Sequence, residues 1–371
     1  VVSVLFAGGG TTGHISPMLA IARELVRRVP NASVTMLGTP EGLETRLVPQ
    51  AGFPLETIEK VPAPRKLGGA ALRFPKRFSH AVKSVIGIID ANDVDVVVGV
   101  GGYVATPAYL AARKRHLPIV IHEANAVPGL ANKLGAKLTD SANIGFTFPG
   151  TPLAGHAVGM PMRPEIEAAD RHDSAAVAEA RTRLGLRPDL PTVVITGGSL
   201  GAAAINEACA AAHASFTAAG LQVLHVTGAG KGESVRAAAA GDPAYHVVDY
   251  VDGMENAYLA ASLIVCRSGA GTVAEVTTVG LPAVYVPLPI GNGEQAKNAA
   301  GPVAAGGARL IDNSAFNEDF VRDAVVPLAA DSAALAGMEA ALAAMDFPRH
   351  ADRAMVATIA RTAGLTLEGD A

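Results

Sequence analysis

Val4-Leu5-Phe6-Ala7-Gly8-Gly9-Gly10-Thr11-Thr12-Gly13-His14 carries an apolar strand straight into a glycine-rich turn and the start of a helix. Val193-Val194-Ile195-Thr196-Gly197-Gly198-Ser199-Leu200-Gly201 repeats that order near the middle of the chain. Outward from the first turn, Val2–Phe6, Ser33–Leu37, Val94–Val100 and Ile119–His122 read as short strands, rich in Val and Ile and bounded by Gly, Pro or Asn. Helical stretches such as Pro17–Arg28 and Thr106–Arg115 separate them. Outward from the second turn, Thr192–Thr196, Gln222–Val226, Tyr245–Tyr250, Leu263–Cys266 and Ala283–Val286 alternate with Ala-rich helices such as Ala203–Ala214. Such alternation predicts parallel sheets covered by helices on both faces. The fold class is therefore α/β, with two Rossmann-like domains expected to face each other across a cleft. Ligands in such sheets sit beyond the carboxyl ends of the strands, where both glycine-rich turns lie.

Gly159-Met160-Pro161-Met162-Arg163-Pro164 is the natural linker, placing the domains at 1–160 and 165–342. The helical remainder, 343–371, is expected to pack back on the first domain. The 371 residues suffice for two cores. No apolar run reaches the roughly 18 to 20 residues that span a bilayer. The opening lacks signal-peptide features, and two cysteines suit a reducing compartment, so a cytoplasmic protein is expected. A net charge of −4 argues against general nucleic-acid binding. One segment departs from this balance. Arg65, Lys66, Arg73, Lys76, Arg77 and Lys83 are interleaved with Leu67, Leu72, Phe74 and Phe78, without an acid between them. That pattern suits either a solvated helix face or contact with an anionic leaflet.

Each motif has rival readings. Gly8-x-Gly10-x-x-Gly13 fits a dinucleotide fingerprint, but the acid expected after the second strand comes late, at Gly38-Thr39-Pro40-Glu41. His14, at a helix start, is expected to stay neutral and could take a proton from a hydroxyl; a lone histidine is also often structural. Gly197-x-Ser199-x-Gly201 matches a hydrolase elbow, with His225, His246 or His350 as conceivable partners, or a cradle for diphosphate at a helix N-terminus. The cradle is preferred, because no histidine sits in a triad loop signature. Asp93-Val94-Asp95 resembles a metal-binding DxD, yet its place at a strand start favours capping or solvation, and no metal is assigned. Cys266-Arg267-Ser268-Gly269-Ala270-Gly271-Thr272-Val273-Ala274-Glu275 is the most specific run. Its carboxylate could accept both hydroxyls of a ribose, or simply favour a helix N-terminus. Gln295 has the donor and acceptor needed to read sugar hydroxyls.

Together with Gly101-Gly102-Tyr103, His122-Glu123-Ala124-Asn125 and Asn298, these segments resemble the MurG family of peptidoglycan N-acetylglucosaminyltransferases, of GT-B fold. The resemblance runs along most of the chain. It implies transfer of GlcNAc from UDP-GlcNAc, a substrate and not a cofactor, to the C4 hydroxyl of undecaprenyl-diphosphate-MurNAc-pentapeptide. Arg163 and Ser199 would meet the donor diphosphate, the Val251 backbone the uracil, and Glu275 the ribose. Ala270, Thr272 and Gln295 would line the GlcNAc side, with Gly271, Val273 and Ala274 also substrate-binding. Thr11, Thr12 and Gly13 would line the acceptor diphosphate pocket, with His14 and Asn125 near the reacting hydroxyl and Glu123 a second possible base. Thr12, Ala124 and Glu294 depart from the family pattern. A lipid-linked acceptor strengthens the membrane reading of Lys66, Leu72, Arg73, Phe74, Lys76, Arg77 and Phe78. It implies peripheral attachment to the cytoplasmic face of the inner membrane through anionic lipids, beside other cell-wall synthesis proteins. Domain closure over the donor is expected. The rivals are a GT-B enzyme with another acceptor and a non-catalytic UDP-sugar sensor.

Overall fold

The computed structural model describes residues 2–62, 69–198, 202–289, 293–365 and 367. The chain divides into two compact units, Val1–Met162 with Pro348–Ala371, and Arg163–Phe347.

The first unit is built on seven parallel strands: β1 (Ser3–Gly8), β2 (Ser33–Gly38), β3 (Leu55–Thr57), β4 (Val96–Gly101), β5 (Ile119–Glu123), β6 (Ile144–Phe146) and β7 (His156–Ala157). They lie in the order β3-β2-β1-β4-β5-β6-β7. The pattern reading missed β3, β6 and β7, which have only two or three residues each. β1 shows why the sheet is buried on both faces: Val4 and Phe6 point into one apolar cluster, Leu5 and Ala7 into the other. That is the period-2 alternation of a strand with helices on each side.

Helices α1 (Thr12–Arg28), α2 (Glu44–Gln50), α3 (Gly69–Ala91), α4 (Ala105–Lys114) and α5 (Leu130–Gly135) complete this unit with a C-terminal helix, Ala351–Ala363. In α1 the buried Ile15, Met18, Ile21, Ala22 and Leu25 recur every three or four residues and make one apolar stripe. Arg27 and Arg28 in its last turn suit the negative end of the helix dipole. The C-terminal helix adds Met355, Val356, Ile359 and Ala360 to that same cluster. The returning segment starts at Pro348, where its carbonyl lies 2.4 Å from where a Cβ on Gly159 would stand. Only glycine fits there, and its φ of +88° asks for glycine as well.

The second unit has six parallel strands: β8 (Thr192–Thr196), β9 (Gln222–Val226), β10 (Tyr245–Val248), β11 (Leu263–Cys266), β12 (Ala283–Tyr285) and β13 (Ala308–Leu310). Their order is β10-β9-β8-β11-β12-β13. Strand order therefore reverses between β1 and β4 in one sheet and between β8 and β11 in the other. Crevices for ligands form at such points, outside the carboxyl ends of the strands. The loops leaving β1 and β4 are the Gly9-Gly10 and Gly101-Gly102 turns, and those leaving β8 and β11 are Gly197-Gly198 and Arg267-Ser268-Gly269.

Among the described residues no single helix is long and apolar enough to cross a membrane. A bent pair, Glu318–Ala330 with Ser332–Ala343, passes on length and composition, but its Val321, Val325, Leu328, Leu335 and Met338 belong to the core of the second unit.

Candidate functional site

In the first unit the chemistry gathers at the β1/β4 switch point. Gly102 has φ +88°, and a Cβ there would stand 2.9 Å from the Gly9 carbonyl oxygen. The two glycine turns thus touch backbone to backbone, which a side chain would prevent. His14 lies in the first turn of α1, half-buried. Its Nδ1 is 3.3 Å from the Gly9 carbonyl and 3.3 Å from Thr11 Oγ1. A carbonyl can only accept, so the contact with Gly9 puts the proton on Nδ1. Nε2 is then the lone-pair nitrogen, and it faces Gly101. Burial lowers the His14 pKa; Glu123, the Gly9 carbonyl and Glu44 oppose this without reversing it. Thr12 is half-buried beside it and Gly13 is exposed.

Glu123 ends β5 almost fully buried, and it is heavily engaged. Oε1 accepts from the Asn125 amide at 2.9 Å, and Oε2 from the Gly129 amide at 3.0 Å and Asn132 Nδ2 at 2.9 Å. Tyr109 extends the network by donating to Asn132 Oδ1 at 2.7 Å. A carboxylate used this way fixes the loop that carries Asn125. Its neighbour His122 is fully buried against the Gly159 carbonyl, 2.9 Å from Nε2, and burial pushes its pKa down to about 4. That histidine anchors the Gly159 turn.

Glu44 went unread in the sequence. It is fully buried, taking the Thr39 amide at 2.8 Å and hydroxyl at 3.0 Å on Oε1, and the Gly10 amide at 2.9 Å on Oε2. A Cβ on Gly9, Gly38 or Gly42 would collide with its carboxyl group, so three glycines make room for it. Burial alone would raise its pKa; the Gly10 and Thr39 donors outweigh that and hold it below the usual value. The cluster of Gly38, Gly42 and an acid was the available signal. Glu44 forms one wall of a cavity of about 190 Å³ with Gly9, Gly10, Lys60 and Tyr103, and the Lys60 ammonium stands 5.0 Å over the Tyr103 ring.

Asp95 Oδ2 accepts the Ser3 amide at 2.8 Å, tying the entrance of β4 to β1. Among the described residues no three His, Cys, Asp or Glu side chains cluster as a metal site.

In the second unit, Gly269 caps the Ala270–Val279 helix at the end of β11. The Val273 amide already donates to the Gly269 carbonyl at 2.9 Å, so the helix-end donors are the amides of Ala270, Gly271 and Thr272. Val273 and Ala274 are fully buried, and their side chains serve the core. Glu275 sits one turn further, accepting from the Tyr258 hydroxyl at 2.6 Å on Oε2. Burial raises its pKa, against the Tyr258 hydrogen bond and the Arg163 charge, with Glu255 adding to the rise. Arg163 Nη2 pairs with Glu255 Oε2 at 2.8 Å. Glu255 and Tyr258 both come from the Met254–Ala260 helix, which sequence reasoning passed over. Gln295 Oε1 accepts the Leu288 amide at 2.9 Å, and Asn298 reaches the Ser268 carbonyl at 3.3 Å. Val251 is buried. Ser199, and with it Leu200 and Gly201 of the candidate diphosphate cradle, lies outside the described residues. His225, one conceivable triad partner, is enclosed between Asn206 Oδ1 at 3.0 Å and the Tyr245 hydroxyl at 2.8 Å, and burial lowers its pKa to about 3. It is a core residue.

On α3, Leu72 is 85% exposed, and Arg73, Lys76 and Arg77 are exposed. Phe74 and Phe78 are half-buried and stacked, with centroids 5.4 Å apart. Two members have other attachments: Phe78 packs against the core, and Arg77 pairs with Glu59 at 2.6 Å. Lys66 lies outside the described residues.

Two family models match the chain, the glycosyltransferase family 28 N-terminal domain over residues 4–144 and its C-terminal domain over 192–354. The crystal structure of Acinetobacter baumannii MurG matches with a TM-score of 0.80 at 31% identity, over 97% of this chain and 100% of that one. This chain belongs to the MurG family. Its two parallel sheets are those of the GT-B fold, as the sequence resemblance implied. A UDP-N-acetylglucosamine--N-acetylmuramyl-(pentapeptide) pyrophosphoryl-undecaprenol N-acetylglucosamine transferase from Nocardioides sp. is 50% identical over 352 residues, 94% of this chain and 95% of that protein. The transferase of the same name from Mycobacterium bovis is 49% identical over 349 residues, 92% and 84% of the two chains. The Staphylococcus aureus MnaA–UDP complex, at 15% identity and a TM-score of 0.66, shares with MurG-family chains the fold alone.

Proposed function

We propose that the chain transfers GlcNAc from UDP-GlcNAc to the C4 hydroxyl of undecaprenyl-diphosphate-MurNAc-pentapeptide, inverting the anomeric centre. The observation that carries the chemistry is the state of His14: a neutral ring with its Nδ1 proton committed to Gly9, and Nε2 free to take a proton at the switch point. Its substrate assignment draws on the two half-identical transferases.

In this reading the acceptor lies at the Gly9–His14 and Gly101–Tyr103 turns. Nε2 removes the hydroxyl proton while the oxygen attacks the anomeric carbon, and the UDP oxygen leaves with the bonding pair. Glu123 acts by fixing the Asn125 loop, since its oxygens already accept three donors, and we assign it positioning in place of base catalysis. The amides of Ala270, Gly271 and Thr272 and the charge of Arg163 meet the negative charge on the donor side. Glu275 takes the ribose hydroxyls, Gln295 the GlcNAc, and the Val251 backbone the uracil. Thr11, Thr12 and Gly13 bound the acceptor diphosphate. Peripheral membrane attachment through Leu72, Arg73, Phe74 and Lys76 brings the enzyme to its lipid-linked acceptor.

The test is UDP release from UDP-GlcNAc, with and without a short-chain lipid-linked MurNAc-pentapeptide. Acceptor-dependent release is expected. Tight donor binding without turnover on that acceptor would leave a nucleotide-sugar site and remove the cell-wall assignment.

A further inference from the structure

Tyr258 is 2% exposed, yet its one polar atom is spent entirely on Glu275, 2.6 Å away. That length is typical of a hydroxyl donating to a carboxylate, a bond roughly twice as strong as a neutral one. The phenol is the donor beyond question of ionisation, because burial, with the charge of Glu275, pushes its pKa well up. Its backbone is fixed as well: the Tyr258 carbonyl accepts from Arg171 Nη1 at 3.0 Å, and Arg171 pairs with Glu339 at 2.6 Å. The phenol is therefore a rigid post, and it holds one of the two Glu275 oxygens.

A carboxylate left to itself rotates about its terminal bond and spreads its lone pairs over water. With Oε2 held by the buried phenol, the carboxylate's rotation is limited, and Glu275 itself keeps partial exposure. We propose that Tyr258 is a positioning residue for nucleotide recognition, holding Glu275 so that Oε1 meets the 2′-hydroxyl of the donor ribose. The proposal rests on the reading of Glu275 as the ribose acceptor. It adds that sugar discrimination depends on a buried phenol that never touches the ligand. Preorganisation of this kind makes a hydrogen bond selective, since the orientation is settled before the ligand arrives.

Isothermal titration of the full-length protein with UDP and with 2′-deoxy-UDP tests it. The unaltered protein should prefer UDP by at least about tenfold, as expected for a hydrogen bond to a charged acceptor. Tyr258→Phe keeps the ring and its packing; it should weaken UDP by roughly tenfold, leave 2′-deoxy-UDP nearly unchanged, and so erase the preference. Glu275→Gln should erase it too, and the double variant should lose nothing more, because both act through one contact. The pH profile gives a second readout. The groups facing Glu275 are Tyr258 and Glu255 from the Met254–Ala260 helix and Arg163; removing the Tyr258 hydrogen bond takes away an influence that lowers the carboxyl pKa. The acid limb of UDP affinity should therefore move to higher pH in Tyr258→Phe. Equal weakening of both nucleotides, or an undiminished preference for UDP, would overturn the positioning role while the donor site stood. If the unaltered protein showed no preference for the 2′-hydroxyl, the ribose reading of Glu275 would fall, and this role with it.

Discussion

At His14 the Gly9 carbonyl takes Nδ1, and in the proposed reaction Nε2 receives the proton. His14→Ala should lower acceptor-dependent UDP release by about 10²- to 10⁴-fold, with UDP affinity unchanged. Because burial lowers the pKa, the neutral ring persists below the ordinary 6.5, and activity should fall only as pH drops through that lower value. A pH–rate profile with an acid limb above 6.5 would contradict this assignment. Glu44 works in the opposite sense, as a charge the fold needs. Its pKa lies below the ordinary 4.5, so it contributes stability above that value and loses it as pH falls through the lowered pKa. Glu44→Gln replaces an acceptor by an amide donor facing the Gly10 and Thr39 donors. It should cost about 1–3 kcal/mol at neutral pH by urea unfolding. The gap from the unaltered protein should narrow in acid.

Among the elements, α3 is where composition and contacts give different weights to neighbouring residues. The charge count alone treats Lys76 and Arg77 alike, but Arg77 is already paired with Glu59. Binding to anionic vesicles should drop about fivefold on Lys76→Ala or Arg73→Ala, since each basic group near a charged leaflet contributes about 1 kcal/mol. Arg77→Ala should lose less, because its charge is partly neutralised already, and Leu72→Asp should lose more. Equal losses at 73, 76 and 77, or binding indifferent to lipid charge, would remove the peripheral reading. The Met254–Ala260 helix teaches a related lesson. Its seven residues carry no recognisable motif, and Glu255 and Tyr258 gain meaning only from Arg163 and Glu275, which are remote in sequence.

For the whole molecule, the donor site we propose lies in one unit and the base we propose in the other. UDP at a hundred times its Kd should stabilise the second unit by about 2.7 kcal/mol. Hydrogen exchange should then slow first in the amides of Ala270, Gly271 and Thr272. Protection confined to Gly8–His14 would put the nucleotide in the wrong unit. The sequence by itself determined the α/β class and the two glycine turns, because strand–helix alternation and glycine patterning are local signals with a fixed period. It also marked His14 and Glu275, each next to a turn that the strand pattern had already located. Strands β3, β6, β7 and β13 escaped it, being too short to show any period. Only the tertiary structure decided what each group does: that Glu123 is consumed by its own loop, that Glu44 fills a glycine cradle, and that Tyr258 holds Glu275. These partners stand at irregular separations, from 2 residues for Asn125 and Glu123 to 17 for Tyr258 and Glu275, and no periodic pattern encodes them.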